Sequence, residues 1–271
     1  MNDSKNHSVK ASVCKASGQL RRAVIIAVTT ACVAGVSQAH AEAACDAPWM
    51  HQGGGFTTTS LPSQRNTVFT VMQFSKRDGN NCNGKIRAVM KMSMGGQPVE
   101  SESNVEFEIA DGKVRAQTEA ATGSMNSRAG TGTFGATMSS QTVGVLSYVG
   151  EITGDGRRIA GTRSEGAVAG TLANIGQKVG TMAAPKFVTT TSDKQVGKQE
   201  QLQTPAGTFA CRPVTYERRM RADNVKMMGR TTDLDALTHV VDHFCPATGL
   251  VMRQDMTTSG KAASLTVSAL H

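Results

Sequence analysis

Aromatic residues are scarce in this 271-residue chain: they make up 4%, with one Trp, two Tyr and eight Phe. That is too few for the stacking platforms of a nucleic-acid groove, and no dense Lys/Arg stripe compensates. Charge is also thin, at 18%. Of the 29 basic and 21 acidic residues, Lys5, Lys10, Lys15, Arg21 and Arg22 against Asp3 fall within the first 41 positions, leaving 24 against 20 beyond them. The remainder is only mildly basic. No apolar run is long enough to span a bilayer, so an integral membrane span is not expected. No Cys-x-x-Cys is present, nor Gly-x-Ser-x-Gly, nor His-Glu-x-x-His, which removes the sequence marks of a redox pair, a serine-hydrolase elbow and a zinc protease. What is there is a hydrophobic fraction of 39%, enough for one core, and strand-like alternation through most of the chain.

The N-terminus is a targeting segment. Residues 1–22 are polar and basic, residues 23–36 (AVIIAVTTACVAGV) are apolar, and Ala39-His40-Ala41 sets small residues where a signal peptidase reads. As a helix the apolar run would be roughly 21 Å long, short of the roughly 30 Å hydrocarbon core. Cleavage before Glu42 and a periplasmic location are expected. Arg21-Arg22 lacks the flanking residues of a twin-arginine signal, and Cys32 and Cys45 have Thr29 and Glu42 where lipidation needs an aliphatic residue.

Removal of that segment leaves four cysteines, Cys45, Cys82, Cys211 and Cys245, an even number in an exported chain and therefore two disulfides. Three pairings are possible. Two cysteines lie near the start of the mature chain and two near its end, which favours Cys45–Cys82 and Cys211–Cys245. Chain-entropy bookkeeping assigns loops of that size about 4 kcal/mol each.

Period-two alternation predicts an all-β fold, a curved antiparallel sheet or partial barrel. Ile86, Ala88, Met90, Met92 and Met94 share one face of an extended segment, with Arg87, Lys91 and Ser93 on the other. Val105, Phe107 and Ile109 repeat the pattern, and Asp111-Gly112 then predicts a hairpin over residues 104–118. Asp78-Gly79 marks another turn. Gly154-Asp155-Gly156 separates predicted strands at 143–152 and 158–162, and further strands are expected at 208–216, 240–245, 250–256 and 265–270. Residues 42–271 are read as one β-rich domain with an insert at about 120–183 rich in Gly, Ser and Thr. In it Val168, Leu172, Ile175, Val179 and Met182 recur at helical spacing, which suits one short helix capped by Ser164, but Gly166, Gly170, Gly176 and Gly180 oppose it, and a glycine-rich excursion without regular structure is the alternative.

Two stretches carry a family resemblance. Thr204-Pro205-Ala206-Gly207-Thr208-Phe209-Ala210-Cys211, running into Val214-Thr215-Tyr216, and later Phe244-Cys245-Pro246-Ala247-Thr248-Gly249-Leu250-Val251, resemble segments of the TapB-like family of bacterial envelope domains. The resemblance covers about residues 186–257. It implies a curved antiparallel sheet in which the second stretch forms a neighbouring strand and turn; it brings no catalytic residues. Cys245 departs from the family pattern, consistently with a bridge to Cys211.

The remaining constellations read as structural. Gly130-Thr131-Gly132-Thr133-Phe134-Gly135 spells a dinucleotide fingerprint without the strand and helix that give it meaning. His239 and His243 would share a helix face and bind zinc, but on a strand they stand roughly 13 Å apart. The run Met90, Met92 and Met94 suits Cu(I) by its thioethers, fills a strand core, or lines a surface that accepts an apolar ligand. Glu100, Glu102, Glu106 and Glu108 are expected to pair across strands with Arg87 and Lys91, and Arg218, Arg219 and Arg221 form a basic patch. No cofactor and no metal are expected, and no catalytic residue is assigned. The expectation is a non-catalytic, disulfide-stabilised envelope protein that binds a partner protein or an apolar small molecule; the alternatives are a carrier of a lipid in a curved sheet and, third, a copper- or zinc-binding protein or an enzyme.

Overall fold

An isolated strand leaves its backbone N–H and C=O groups unpaired, and this chain pairs them across sixteen described strands in antiparallel fashion. The computed structural model describes residues 44–94, 97–114, 117–127, 130–140, 148–150, 152, 154–174, 177–227 and 229–271. The targeting segment lies outside them. The strands are β1 (Gly55–Leu61), β2 (Arg65–Asp78), β3 (Asn81–Met94), β4 (Gln97–Ala110), β5 (Lys113–Val114), β6 (Gln117–Ser127), β7 (Gly130–Ser140) and β8 (Arg158–Ile159). They continue as β9 (Arg163–Asn174), β10 (Gln177–Thr191), β11 (Lys194–Val196), β12 (Glu200–Thr204), β13 (Gly207–Met227), β14 (Arg230–Cys245), β15 (Leu250–Thr258) and β16 (Lys261–Leu270).

The sheet runs β5-β4-β3-β2-β1-β16-β15-β14-β13-β10-β9-β7-β6 and is open rather than closed into a barrel, with β11 and β12 pairing along β13. The C-terminal strand β16 lies between β1 and β15, so the two halves of the chain form one continuous surface. The Asp111-Gly112 turn between β4 and β5 has positive φ at both residues, 52° and 70°, the type I′ geometry that matches strand twist.

Where the spacing suits a helix, the described residues form sheet; Ile175 and Gly176 lie outside them. Val168 and Leu172 fall in β9, Val179 and Met182 in β10, and the two strands pair antiparallel from Gln177↔Asn174 to Thr190↔Arg163. Four glycines at a cost of up to about 1 kcal/mol each make a helix unfavourable, whereas β9 gains backbone partners on both sides, β7 and β10. Gly130–Gly135 likewise lies within β7, paired with β6 and β9, so no phosphate-binding turn forms. Of the strand expected at 143–152, residues 148–150 form a turn and Ile152 is in no strand, while 141–147, 151 and 153 lie outside the described residues.

Directly opposed residues of an antiparallel pair share a face. The opposed series Val196–Val214–Asp242–Gln254–Leu265–Ser60 crosses β11, β13, β14, β15, β16 and β1. Two residues along, Val267–Thr58–Thr67–Met90–Ser101 carries the same face on to β4. We call this the core face. The opposite face holds most of the charges: Arg87 binds Glu102 at 2.6 Å, Lys85 approaches Glu106 at 3.9 Å, and Arg219 binds Asp235 at 2.6 Å.

One end of the core face is covered. Residues 44–54 fold over it, putting Trp49 (0% exposed) against Phe56 in an edge contact of 5.1 Å, while Phe56 stacks on Phe69 at 4.4 Å. Trp49 Nε1–H donates to the Thr248 carbonyl at 2.8 Å, tying this segment to the turn after β14. Val71, Ile86, Phe107 and Ile109 complete the cluster with Leu250, Met252 and the two disulfides. Cys45 is bonded to Cys82 and Cys211 to Cys245, closing sequence separations of 37 and 34.

Candidate functional site

Beside that core, on the same face, β11, β13, β14 and β15 bring polar side chains together. Asp242 is 3% exposed, a position at which a carboxylate persists only if its lone pairs are met. Three donors meet them. Tyr148 Oη–H donates to Oδ2 at 2.5 Å, Tyr216 Oη–H to the same oxygen at 2.9 Å, and Gln254 Nε2–H to Oδ1 at 2.6 Å. Lys194, 8% exposed, places its Nζ 4.9 Å from the centre of the Tyr148 ring and 5.0 Å from that of Tyr216, cation–π distances. Burial, and next the negative charge of Asp242, push both tyrosine hydroxyls well above the ordinary phenol value, so both remain protonated donors.

Local geometry explains why these residues meet. Tyr216 and Asp242 share a face because Val214 opposes Asp242 and Tyr216 opposes Val240 in register. Gln254 opposes Asp242 directly from β15. Tyr148 arrives on the turn at 148–150, which is pressed against the β4–β5 turn: a Cβ on Gly150 would lie 2.1 Å from the Gly112 carbonyl oxygen, so only glycine permits the approach. Tyr148 also packs edge-on against Phe244 at 5.7 Å, with Val196 and Val214 beneath. A cleft of about 240 Å³ lies at this end, lined among others by Gly112, Tyr148, Ile152, Phe244 and Pro246. Two others, of about 430 and 480 Å³, flank β2, β3 and β4 and carry the charges of Arg77, Lys85, Glu106 and Glu108. The Asp242 network has both of its carboxylate oxygens engaged and clamps the 148–150 turn to the sheet.

Away from the covered end the core face is uncharged over most of its width and partly open. Met256 and Leu265 are half-buried, as is Phe187, while Met220 is 37% and Leu234 42% exposed. Met220 follows Tyr216 and Arg218 by strand periodicity and opposes Ala236; Leu234 opposes Ala222, which is in turn opposed by Phe187 of β10.

The residues singled out from the sequence are dispersed over this architecture. Met90 is half-buried on the core face between Thr67 and Ser101; Met92 and Met94 continue β3, and their side chains lie outside the described residues. His243 is on the outer face, with Nδ1 3.0 Å from Glu200 and Nε2 3.3 Å from Asp255, and His239 is exposed. Among the described residues no group of three or more His, Cys, Asp or Glu could hold a metal ion. The three arginines do not form one patch: Arg219 and Arg221 both bind Asp235 on the outer face, and Arg218 faces the other way, its Nη2 3.3 Å from Met256 Sδ. Alternation along a strand separates neighbours that a linear reading groups. The Asp242 network was not foreseen as a site, because its members are distributed over residues 148 to 254 and no short spacing joins them. The signal available was composition: the chain has two tyrosines, and both bind the same carboxylate.

No family model and no curated protein matches the chain. The likeness to the TapB-like family therefore rests on the two quoted stretches alone. The comparisons do not support that likeness; the first stretch runs from the end of β12 through a turn into β13, and the second from the end of β14 through a turn into β15. Two solved structures are similar in fold. One, from Bacteroides fragilis, is described as an exported protein with a YmcC-like fold; it has a TM-score of 0.48 and 13% identity, over 82% of this chain and 96% of that one. The other, from Parabacteroides distasonis, is described as a lipoprotein, with a TM-score of 0.47 and 12% identity over the same shares.

Proposed function

We propose that the chain is an exported cell-envelope protein that binds rather than catalyses, and that it holds an apolar small molecule on the core face of its open sheet. One observation carries this reading: most charges of β13 and β14 lie on the outer face, Arg218 and the buried Asp242 excepted, while the core face beyond the covered end groups Phe187, Met220, Leu234, Met256 and Leu265 half-buried or exposed, against Leu237 exposed on the outer face of the same strands. A water-facing sheet normally alternates polar outward, and a partly uncovered apolar face marks an interaction surface. Thioethers on that face suit ligands of varied shape. Export and the periplasmic location are supported by residues 1–41, and two disulfides fit an oxidising compartment.

Titration with a neutral, polarity-sensitive naphthylamine dye tests the reading. Saturable binding is expected, and Leu234→Asp or Met220→Asp is expected to weaken it by about tenfold or more while leaving the thermal midpoint within a few degrees, since both side chains are exposed. Absence of saturable binding, or binding indifferent to both substitutions, overturns it.

A further inference from the structure

Arg218 breaks the charge segregation of the sheet. In β13 it follows Tyr216 by two residues and so projects from the core face, where it is half-buried, opposed by Thr238 of β14 and Thr191 of β10. Its hydrogen bond goes to Met256 Sδ at 3.3 Å, a weak neutral acceptor, and among the described ion pairs none involves it. The carboxylate on the same face of β14, Asp242, spends its oxygens on Tyr148, Tyr216 and Gln254. By contrast the adjacent Arg219 and Arg221 share Asp235. The other cations of the same parity on β2 and β16, Arg65 and Lys261, are exposed at hairpin ends. The middle of the core face thus holds a guanidinium facing threonines and a thioether, next to the exposed apolar side chains of Met220 and Leu234. A partly desolvated guanidinium gains most from a planar or tetrahedral oxyanion, which its fork of donors binds in bidentate fashion.

We propose that Arg218 anchors the anionic head group of an amphiphile whose hydrocarbon chain covers Met220, Leu234 and Phe187. This rests on the apolar-ligand reading and narrows it to molecules with a carboxylate or phosphate head on a single long chain. Head and tail sites are adjacent: Met220 is one side-chain repeat along the strand from Arg218, roughly 7 Å.

Competition against the neutral dye with three probes of equal chain length, palmitate, hexadecyl phosphate and hexadecanol, decides it, using the mature wild-type protein, Arg218→Gln and Arg218→Lys. The expected result is that wild type prefers at least one anionic probe over hexadecanol by about tenfold, that Arg218→Gln removes the preference without changing hexadecanol affinity, and that Arg218→Lys keeps part of it. The favoured anion identifies the head group. Equal affinity of wild type for all three probes, or a preference that survives in Arg218→Gln, overturns the role of Arg218 and leaves the apolar site standing. Failure of every probe to displace dye, or of the dye to bind, overturns both. Thermal midpoints and near-ultraviolet dichroism of the variants show that a lost preference is not lost folding.

Discussion

The two ends of the core face are made of similar strands and treated differently. At one end residues 44–54 and the turn at 148–150 cover the sheet, Trp49 and Tyr148 are fully buried, and both disulfides join the core. At the other the same strands, β13 and β14, run on with Met220 and Leu234 uncovered. Sheet pairing is continuous across both ends, so the difference lies in what covers the face rather than in backbone regularity. The covalent and buried polar ties are concentrated at the covered end, so under the proposed function stability and binding are expected to separate accordingly.

Substitutions at the covered end break that contrast most severely. Trp49→Ala removes the central side chain of the lid and its hydrogen bond to Thr248, and is expected to cost about 4 kcal/mol in urea denaturation, whereas a loss below about 1 kcal/mol means that the lid does not bear the fold. Asp242→Ala comes next, at about 3 kcal/mol, because two buried hydroxyls and Gln254 lose their acceptor. Leu234→Ser, on the same face of the same strand but uncovered, is expected to stay within about 0.5 kcal/mol of wild type by the same measurement.

Titration sharpens the contrast further. Tyr148 and Tyr216 have hydroxyl pKa values raised by burial and by Asp242, so their contribution to stability is full below the unfolded value near pH 10 and is lost as pH rises beyond it. Each is expected to remove about 1.4 kcal/mol per pH unit above that point. Absorbance near 295 nm reports it directly: phenolate is expected to appear only together with unfolding, and a phenolate signal from protein that is still folded contradicts the buried network. The smallest effect is on the outer face. Arg219, with Arg221, lowers the Asp235 carboxyl to about 2, so whatever that pair contributes is present above pH 4 and is lost as pH falls through 2. Because Asp235 is exposed, Asp235→Asn is expected to change the acid limb of a thermal-midpoint profile only slightly.

Much of the sheet was legible because a strand announces itself locally. The β4–β5 hairpin follows from Val105, Phe107 and Ile109 ahead of Asp111-Gly112, and the cross-strand pairing of Arg87 with Glu102 follows from alternation. Position along the chain favours the bridges Cys45–Cys82 and Cys211–Cys245 but leaves three pairings open, and the structure selects among them. The stripe of Val168, Leu172, Ile175, Val179 and Met182 misled because its spacing straddles a hairpin, where a repeat of three and four mixes residues from two strands. The Asp242 network and the isolation of Arg218 needed register as well as period: Asp242 meets Tyr216 and Gln254 only once β13, β14 and β15 are aligned, and the face of Arg218 follows only from that alignment.

The division between a sealed end and an open binding face is tested most directly by peroxide oxidation of methionines, read residue by residue by mass spectrometry with and without saturating palmitate or hexadecyl phosphate. Met50 and Met252, at 3% and 0% exposure in the covered end, are expected to resist oxidation in both conditions, and Met72, 43% exposed, to oxidise in both. Met220 and Met256 are expected to oxidise in the free protein and to be protected by ligand. Ligand that binds while leaving Met220 and Met256 as reactive as before contradicts the account, as does ready oxidation of Met50 and Met252 in the folded protein.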